Sequence, residues 1–131
     1  MAKPLRFLVV DDSSTMRRII ANLLKECGFG EVDEAPHGVA ALQKLRSDRF
    51  DLVVSDINMP AMNGFDMLAE IKKDASLRST PVLLVTAEAR RQDILQATAL
   101  GAAGYVVKPF TKAILQDKVM LILRKHGLTQ A

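Results

Sequence analysis

Short, uninterrupted apolar runs recur along the chain, at residues 7–10, 52–54, 82–85 and, more weakly, 104–107. Because they do not alternate with polar positions, such runs are typical of strands that are buried on both faces of a parallel sheet. Residues 31–35 form a fifth, weaker candidate. Pro36 follows this run directly, which favours an edge strand because proline is tolerated there.

Between these runs, apolar residues recur at helical spacing. The clearest helical face consists of Met16, Ile19, Ile20, Leu23, Leu24 and Cys27. These residues follow the i, i+3, i+4, i+7 pattern of an amphipathic helix. Ser13 or Ser14 can cap the start of this helix, and Gly28 suits its end. Further helices are predicted at about residues 38–46, 64–73, 91–100 and 112–125.

The alternation of five strands with five helices determines the expected fold class. Parallel strands need crossover helices and right-handed connections. The pattern therefore predicts an α/β protein with an open, doubly wound sheet and helices on both faces. A chain of 131 residues without an internal repeat or linker fits one domain, spanning residues 1–131.

Composition and charge restrict the classes of partner. The net charge is +3, and the basic residues fall in short pairs such as Arg17-Arg18 and Arg90-Arg91, which are typical of a solvated surface. Aromatic residues make up 5% of the chain and tryptophan is absent, so we expect no nucleic-acid binding. A single cysteine, the lack of a long apolar segment and the lack of a signal-peptide pattern predict a cytoplasmic protein that binds no membrane.

Polar residues follow four of the apolar runs, at the points where the predicted strands end. They are Asp11, Asp12, Asp56, Thr86 and Lys108. Any one of the aspartates or Thr86 alone would more often be a helix cap or turn residue, and Lys108 alone a surface lysine. Ligands of open α/β sheets, however, bind at the carboxyl ends of the strands. We therefore expect these side chains to converge on one site.

Converging carboxylates need a cation. Two carboxylates about 4 Å apart repel by about 4 kcal/mol at an effective dielectric of about 20, and Lys108 supplies one positive charge. Because no His or Cys follows these strands, the predicted metal is Mg²⁺, with Mn²⁺ as the alternative, rather than Zn²⁺. Magnesium commonly acts beside phosphate, and a carboxylate nucleophile gives an aspartyl phosphate. Asp56 is the predicted nucleophile because it stands alone, whereas Asp11 and Asp12 form a pair.

Several motifs make the chain similar to a known family. They are residues 7–12 with 14–18, 55–56 with 58–60, 85–89 and 104–110. On these motifs the whole chain resembles a response-regulator receiver domain, in particular those of chemotaxis regulators. The resemblance implies a flavodoxin-like, five-stranded parallel sheet of order 2-1-3-4-5 with five helices. It also implies a cis peptide bond between Lys108 and Pro109.

The resemblance assigns roles to the residues at the strand ends. It implies that Asp56 is the phosphoacceptor and that Lys108 pairs with the phosphoryl group. The implied direct Mg²⁺ ligands are Asp12, Asp56 and the backbone carbonyl of Asn58, while Asp11 acts through water.

A second set of roles concerns switching and output. The resemblance makes Thr86 the switch hydroxyl and Tyr105 the aromatic residue whose ring turns inward with it. Asn58 and Glu88 match the positions that tune loss of the phosphoryl group. The implied partner surface comprises Ala89, Tyr105, Val107, Thr111 and Lys118.

The family likeness also implies partners. We expect a monomeric, stand-alone regulator without an effector domain, phosphorylated by the histidine kinase of a chemotaxis system. Its output partner would be the flagellar motor switch or another protein, and a phosphatase is an optional further partner. The alternative is a phosphorelay intermediate or phosphate sink that exchanges phosphate with a histidine phosphotransfer protein. In either role it is a signalling protein rather than an enzyme, catalysing only its own phosphorylation and dephosphorylation.

Two positions depart from the best-known chemotaxis regulators. Ile57 replaces a tryptophan and Ser13 replaces an aromatic residue. Neither change removes a catalytic group, so the chemistry is expected to survive.

Two functions outside this family fit the chain less well. A phosphohydrolase would need an insertion for a substrate cap, and a flavodoxin-like cofactor binder would need a glycine-rich phosphate loop after the first strand.

Overall fold

The computed structural model describes residues 4–87 and 90–127. The strands are β1 (Leu5–Val10), β2 (Gly30–Ala35), β3 (Leu52–Asp56), β4 (Val82–Thr86) and β5 (Gly104–Val107). The helices are α1 (Ser14–Glu26), α2 (Gly38–Ser47), α3 (Gly64–Lys73), α4 (Arg91–Ala99) and α5 (Lys112–Lys125). Each predicted strand and helix is present, with bounds within two residues of those predicted.

The five strands form one parallel sheet in the order β2-β1-β3-β4-β5. This confirms the α/β fold class and the strand order implied by the family likeness. Every position of β3 and β4 is buried, as expected from their unbroken apolar runs. The predicted edge strand, β2, lies at the edge and is buried only at Ala35.

The core consists of two apolar layers, one on each face of the sheet. Leu8 and Val10 of β1 lie in the layer beneath α2 and α3, whereas Phe7 and Val9 lie in the layer beneath α1 and α5. Successive side chains of a strand point to opposite faces, so β1 contributes to both layers. Each of these four side chains is fully buried, and burial of one such side chain stabilises the fold by about 1.5–3 kcal/mol.

Side-chain caps mark the starts of α1 and α2. Ser13 rather than Ser14 caps α1, because Ser13 Oγ accepts a hydrogen bond from the Met16 N–H at 3.2 Å. His37, which lies in a predicted loop, caps α2 by accepting from the Ala40 N–H through Nδ1 at 3.1 Å. Among the described residues, no helix has the length and apolar character needed to span a bilayer.

The loop between β3 and α3 contains a strained alanine. Ala61 is exposed and has φ of 65°, in the left-handed region. This conformation costs an L-residue about 1–2 kcal/mol, whereas asparagine adopts it more readily. We therefore expect Ala61→Asn to raise the free energy of unfolding by about 0.5–1 kcal/mol, as measured by urea denaturation.

The matched control for this prediction is Ala69→Asn, in the middle of α3. Asparagine is the poorer helix former, so this variant should lose about 0.5 kcal/mol. A gain at Ala69, or a loss at Ala61, would contradict the prediction.

Candidate functional site

The site lies at the carboxyl edge of the sheet, where four strands end. Asp11 and Asp12 follow β1, Asp56 ends β3, Thr86 ends β4, and Lys108 follows β5. β1 and β4 flank β3 in the sheet, so Asp56 is central. One carboxylate oxygen from each of Asp11, Asp12 and Asp56 lies within 4.8 Å of the others. The sheet thus brings together the three aspartates that the sequence pattern singled out.

Lys108 approaches this acidic cluster from β5. Its Nζ atom is 3.5 Å from Asp56 Oδ1 and 3.7 Å from Asp11 Oδ2. Asp11 and Asp56 are buried, whereas Asp12 is exposed. Lys108 contacts two of the three aspartates, so the cluster contains more acidic than basic side chains.

Burial changes the acidity of Asp56. Removal from water raises the pKa of this carboxyl group above its ordinary value, and the nearby Asp11 carboxylate raises it further. The charge of Lys108 and a hydrogen bond donated by the Asn58 backbone N–H lower the pKa, but burial is the largest effect. Burial therefore disfavours the ionised form of Asp56, and a nearby cation would favour it.

Asp11 provides a test of whether the cluster suits a metal. Its Oδ1 atom accepts a hydrogen bond from the Ser13 N–H at 2.9 Å. Its Oδ2 atom is buried, and no donor in the described part of the chain hydrogen-bonds it. A buried oxygen without a hydrogen bond, within an all-carboxylate group of ligands, fits a hard divalent cation.

Comparison with known proteins identifies the family. The family model described as the response regulator receiver domain matches residues 7–120. The chain belongs to the response regulator receiver domain family.

Named relatives resemble this receiver domain over nearly all of its length. It is 48% identical over 123 residues to the chemotaxis protein CheY-3 of Vibrio cholerae, covering 94% of this chain and 95% of the relative. It is 49% identical over 121 residues to the chemotaxis protein CheY of Pseudomonas aeruginosa, covering 92% and 98%.

Solved structures agree with this assignment. Vibrio cholerae chemotaxis protein CheY4 superposes with a TM-score of 0.86 at 34% identity, covering 93% of this chain and 100% of that chain. A response regulator receiver domain protein of Clostridium thermocellum gives a TM-score of 0.85 at 29% identity, covering 95% and 98%.

Other predicted site residues of the receiver domain lie around the cluster or on β5 and α5. Thr86 is buried, and Asn58 is exposed just after β3. Glu88 and Ala89 fall outside the described residues. Thr111 accepts a hydrogen bond from the Ile114 N–H at 3.2 Å and so caps α5. The peptide bond between Lys108 and Pro109 is cis, as the family likeness implies.

Tyr105 and Lys118 contact each other on the β5–α5 face. Lys118 Nζ is 5.5 Å from the centre of the Tyr105 ring, a cation–π distance. Tyr105 and Val107 are partly exposed, and Lys118 is exposed. With the exposed Thr111, four described residues of the predicted partner surface therefore lie at the protein surface.

The two departures from the family pattern have distinct surroundings. Ile57 is buried and lines a cavity of ≈ 340 Å³, together with Asn58, Thr86 and residues of α4. Ser13 caps α1 and donates its N–H to Asp11.

A larger cavity of ≈ 610 Å³ involves the loops after α2 and α3, away from the three aspartates. We assign the site to the aspartates because the reactive groups converge there.

One residue at the site was not predicted. Arg17 was assigned to a solvated basic pair, but its side chain is only 18% exposed, against 67% for Arg18. Its Nη1 group donates to the carbonyl oxygen of Asp11 at 2.8 Å. The sequence contains no signal for this contact, because it depends on how the turn after β1 folds toward α1.

Proposed function

We propose that this chain is a stand-alone response regulator, switched by Mg²⁺-dependent phosphorylation of Asp56. The observation that carries this proposal is the Asp56 carboxylate, buried among carboxylates and 3.5 Å from Lys108 Nζ. A nucleophile in this setting is matched to a transferring phosphoryl group, whose negative charge requires nearby cations.

The proposed reaction is an in-line transfer from a phosphohistidine of the kinase. An Asp56 oxygen attacks phosphorus, the O–P bond forms, the P–N bond breaks, and the released imidazole takes up a proton. Lys108 neutralises a phosphoryl oxygen, and the Thr86 hydroxyl donates a hydrogen bond to another. Asp11, Asp12, Asp56 and the carbonyl of Asn58 would hold Mg²⁺, with Mn²⁺ as a substitute. When bound, the metal supplies positive charge to the phosphoryl oxygens.

The proposed switch connects this site to the β5–α5 face. A phosphoryl group on Asp56 would draw Thr86 toward it, and Tyr105 would turn inward into the space that Thr86 leaves. Turning inward would break the contact between Tyr105 and Lys118 on the surface. A change from 1:99 to 99:1 in the active state needs about 5.5 kcal/mol of differential interaction. The proposed output surface is Ala89, Tyr105, Val107, Thr111 and Lys118.

The names of the relatives support a chemotaxis role. Two proteins that match at 48% and 49% identity are named chemotaxis proteins. We propose a cytoplasmic, monomeric single domain over residues 1–131 that receives phosphate from a chemotaxis histidine kinase. Its output partner is the flagellar motor switch or another protein. Asn58 and Glu88 would set the rate at which the phosphoryl group is lost, either spontaneously or to a phosphatase.

The test is intact mass after incubation with a small phosphodonor, with and without Mg²⁺. We expect the wild-type protein to gain the mass of one phosphoryl group only in the presence of Mg²⁺. Asp56→Asn should gain none, because an amide is not a nucleophile for this transfer. The matched control is Asp117→Asn, which removes an exposed carboxylate of α5 and should be labelled like the wild type. Label that persists in Asp56→Asn would refute the proposed phosphoacceptor.

A second measurement separates a motor switch from a phosphate sink. The phosphorylated protein is mixed with a flagellar switch peptide in one arm and with a histidine phosphotransfer domain in the other. Tighter peptide binding supports the switch. Rapid transfer of the label to the phosphotransfer domain, without tighter peptide binding, supports the sink.

A further inference from the structure

We propose that Arg17 is a positioning residue of the acidic site, which aims the Asp12 carboxylate by holding the peptide plane between Asp11 and Asp12. This inference rests on the metal binding that the proposed function requires. The role belongs to Arg17 and not to its neighbour Arg18, although the two residues share an acidic partner.

Arg17 joins three parts of the fold. It lies in the first turn of α1, and its Nη1 group donates to the Asp11 carbonyl oxygen at 2.8 Å. Its Nε group donates to Glu34 Oε1 on β2 at 3.1 Å. Glu34 is itself fixed by the sheet, because it pairs in register with Val9 of β1. The edge strand β2 therefore fixes the guanidinium group through Glu34. The same group in turn fixes the turn after β1, which carries the two aspartates.

Three of the four polar atoms of Asp11 are hydrogen-bonded, and the fourth, Oδ2, is buried and faces Lys108. Its N–H donates to the Ala35 carbonyl at 3.2 Å, its Oδ1 accepts from Ser13, and its Oδ2 faces Lys108 at 3.7 Å. Arg17 supplies the remaining contact, to the carbonyl oxygen.

Asp12 has no comparable restraint of its own. It is exposed, and within residues 4–87 and 90–127 its carboxylate has neither a hydrogen bond nor an ion pair. The peptide bond is planar, so the Asp11 carbonyl oxygen and the Asp12 N and Cα atoms move as one unit. Anchoring that oxygen fixes the point from which the Asp12 side chain departs. Arg17 thereby determines whether Asp12 reaches the metal together with Asp11 and Asp56.

The contact requires an arginine. Its planar group presents N–H donors in fixed, different directions, so one side chain can bind the Asp11 carbonyl and the Glu34 carboxylate together. A lysine at this position would keep the charge but would lack that fixed fork.

The experiment measures Mg²⁺ affinity by isothermal titration calorimetry on the full chain, for the wild type, Arg17→Gln and Arg18→Gln. Both variants lose one positive charge, and both lose a partner of Glu34. Arg18 pairs with Glu34 at 3.3 Å, and in the described part of the chain it has no hydrogen bond or ion pair with Asp11. The two variants therefore have equal charge and differ in the Asp11 contact.

A purely electrostatic role and a positioning role of Arg17 predict opposite changes in the Kd for Mg²⁺. Removing a cation near an acidic site strengthens the binding of a divalent cation, so charge alone predicts a lower Kd in both variants. Positioning predicts that Arg17→Gln raises the Kd about tenfold, the usual effect of losing a residue that orients a metal ligand. Arg18→Gln should bind as tightly as the wild type or slightly more tightly.

A third variant, Arg17→Lys, keeps the charge, and it remains informative if Arg17→Gln does not fold. Urea denaturation of every variant establishes that it is folded. We expect Arg17→Lys also to weaken binding. Wild-type affinity in either folded Arg17 variant would overturn the inference while leaving the metal site intact. No Mg²⁺ binding by the wild type would overturn both the inference and the metal requirement of the proposed function.

Discussion

Replacing Gly64 with alanine should lower the free energy of unfolding by about 2–3 kcal/mol, although alanine is the better helix former by about 1 kcal/mol. Gly64 is the first residue of α3 and is buried. A Cβ atom there would lie 2.5 Å from the carbonyl oxygen of Asp56 and 2.9 Å from the Ile57 Cα atom. Both atoms belong to the backbone, and the Gly64 N–H is bonded to the Ile57 carbonyl at 2.9 Å, so neither segment can move independently. The measurement is the midpoint of urea unfolding.

Gly38→Ala is the matched control. Gly38 is also buried and also begins a helix, α2, and a Cβ atom there would meet a neighbour at 2.8 Å. The atoms met are Cγ and Sδ of Met62 at 2.8 Å and its Cβ at 3.2 Å, and this side chain can rotate about its bonds. We expect Gly38→Ala to change the free energy of unfolding by less than about 1 kcal/mol. Equal effects at Gly64 and Gly38 would show that the rigidity of the contacted atoms is not what matters.

The substitution at Gly64 should also affect the site. Relief of the clash requires α3 to move away from the end of β3, or the Asp56 backbone to shift away from α3. The second movement would displace the Asp56 carboxylate from Asp11 and Lys108. Mg²⁺ affinity in Gly64→Ala should therefore fall, whereas Gly38→Ala should bind Mg²⁺ as the wild type does.

Most of the fold could be predicted from the sequence because local patterns and the overall architecture agree. The runs at residues 52–54 and 82–85 have no polar break, and β3 and β4 are indeed buried on both faces. Prediction is weaker where polar residues extend a strand. Arg6 belongs to β1, and its charge is accommodated at the sheet edge by Asp48 at 2.9 Å and Asp33 at 3.3 Å. Those partners are distant in sequence, so the pattern cannot reveal them.

Some residues of the site could likewise be predicted from the sequence, and others could not. Asp11, Asp56 and Lys108 could be predicted to meet, because each lies within two residues of the end of an apolar run in a parallel sheet. The contact of Arg17 with the Asp11 carbonyl could not, since one basic pair looks like another in sequence. The cap at His37 was missed for a related reason, because histidine is not among the preferred capping residues. Contacts that arginine or histidine makes with backbone atoms leave no signal of this kind, unlike the cap at Ser13, which the residue type indicates.

Asp56→Asn should raise the free energy of unfolding of the metal-free protein at neutral pH by about 1–3 kcal/mol, the usual cost of a buried group whose charge is incompletely satisfied. The pKa of Asp56 in the folded state is raised, chiefly by burial, above the ordinary value of about 3.9. Its contribution to stability is therefore fully present below pH about 3.9 and is lost as the pH rises through the folded-state pKa. Asparagine does not ionise, and Lys108 retains Asp11 at 3.7 Å in the variant.

The difference between the two proteins should therefore be small in acid and should widen as the pH rises through that window. Urea unfolding in EDTA across this range measures it, with the exposed Asp117→Asn as a variant whose stability follows the wild type. Saturating Mg²⁺ should narrow this difference, because a ligand that binds only the folded state at 100 times its Kd adds about 2.7 kcal/mol to the stability of the wild type. The Asp56→Asn variant lacks one of the proposed metal ligands, so Mg²⁺ should stabilise it less than the wild type. A wild-type protein that is the more stable of the two in EDTA at neutral pH would mean that Lys108 and the Asn58 N–H outweigh burial. Burial would then not disfavour ionised Asp56 in the folded state, and the case for a cation at this site would rest on the converging carboxylates and on Asp11 Oδ2.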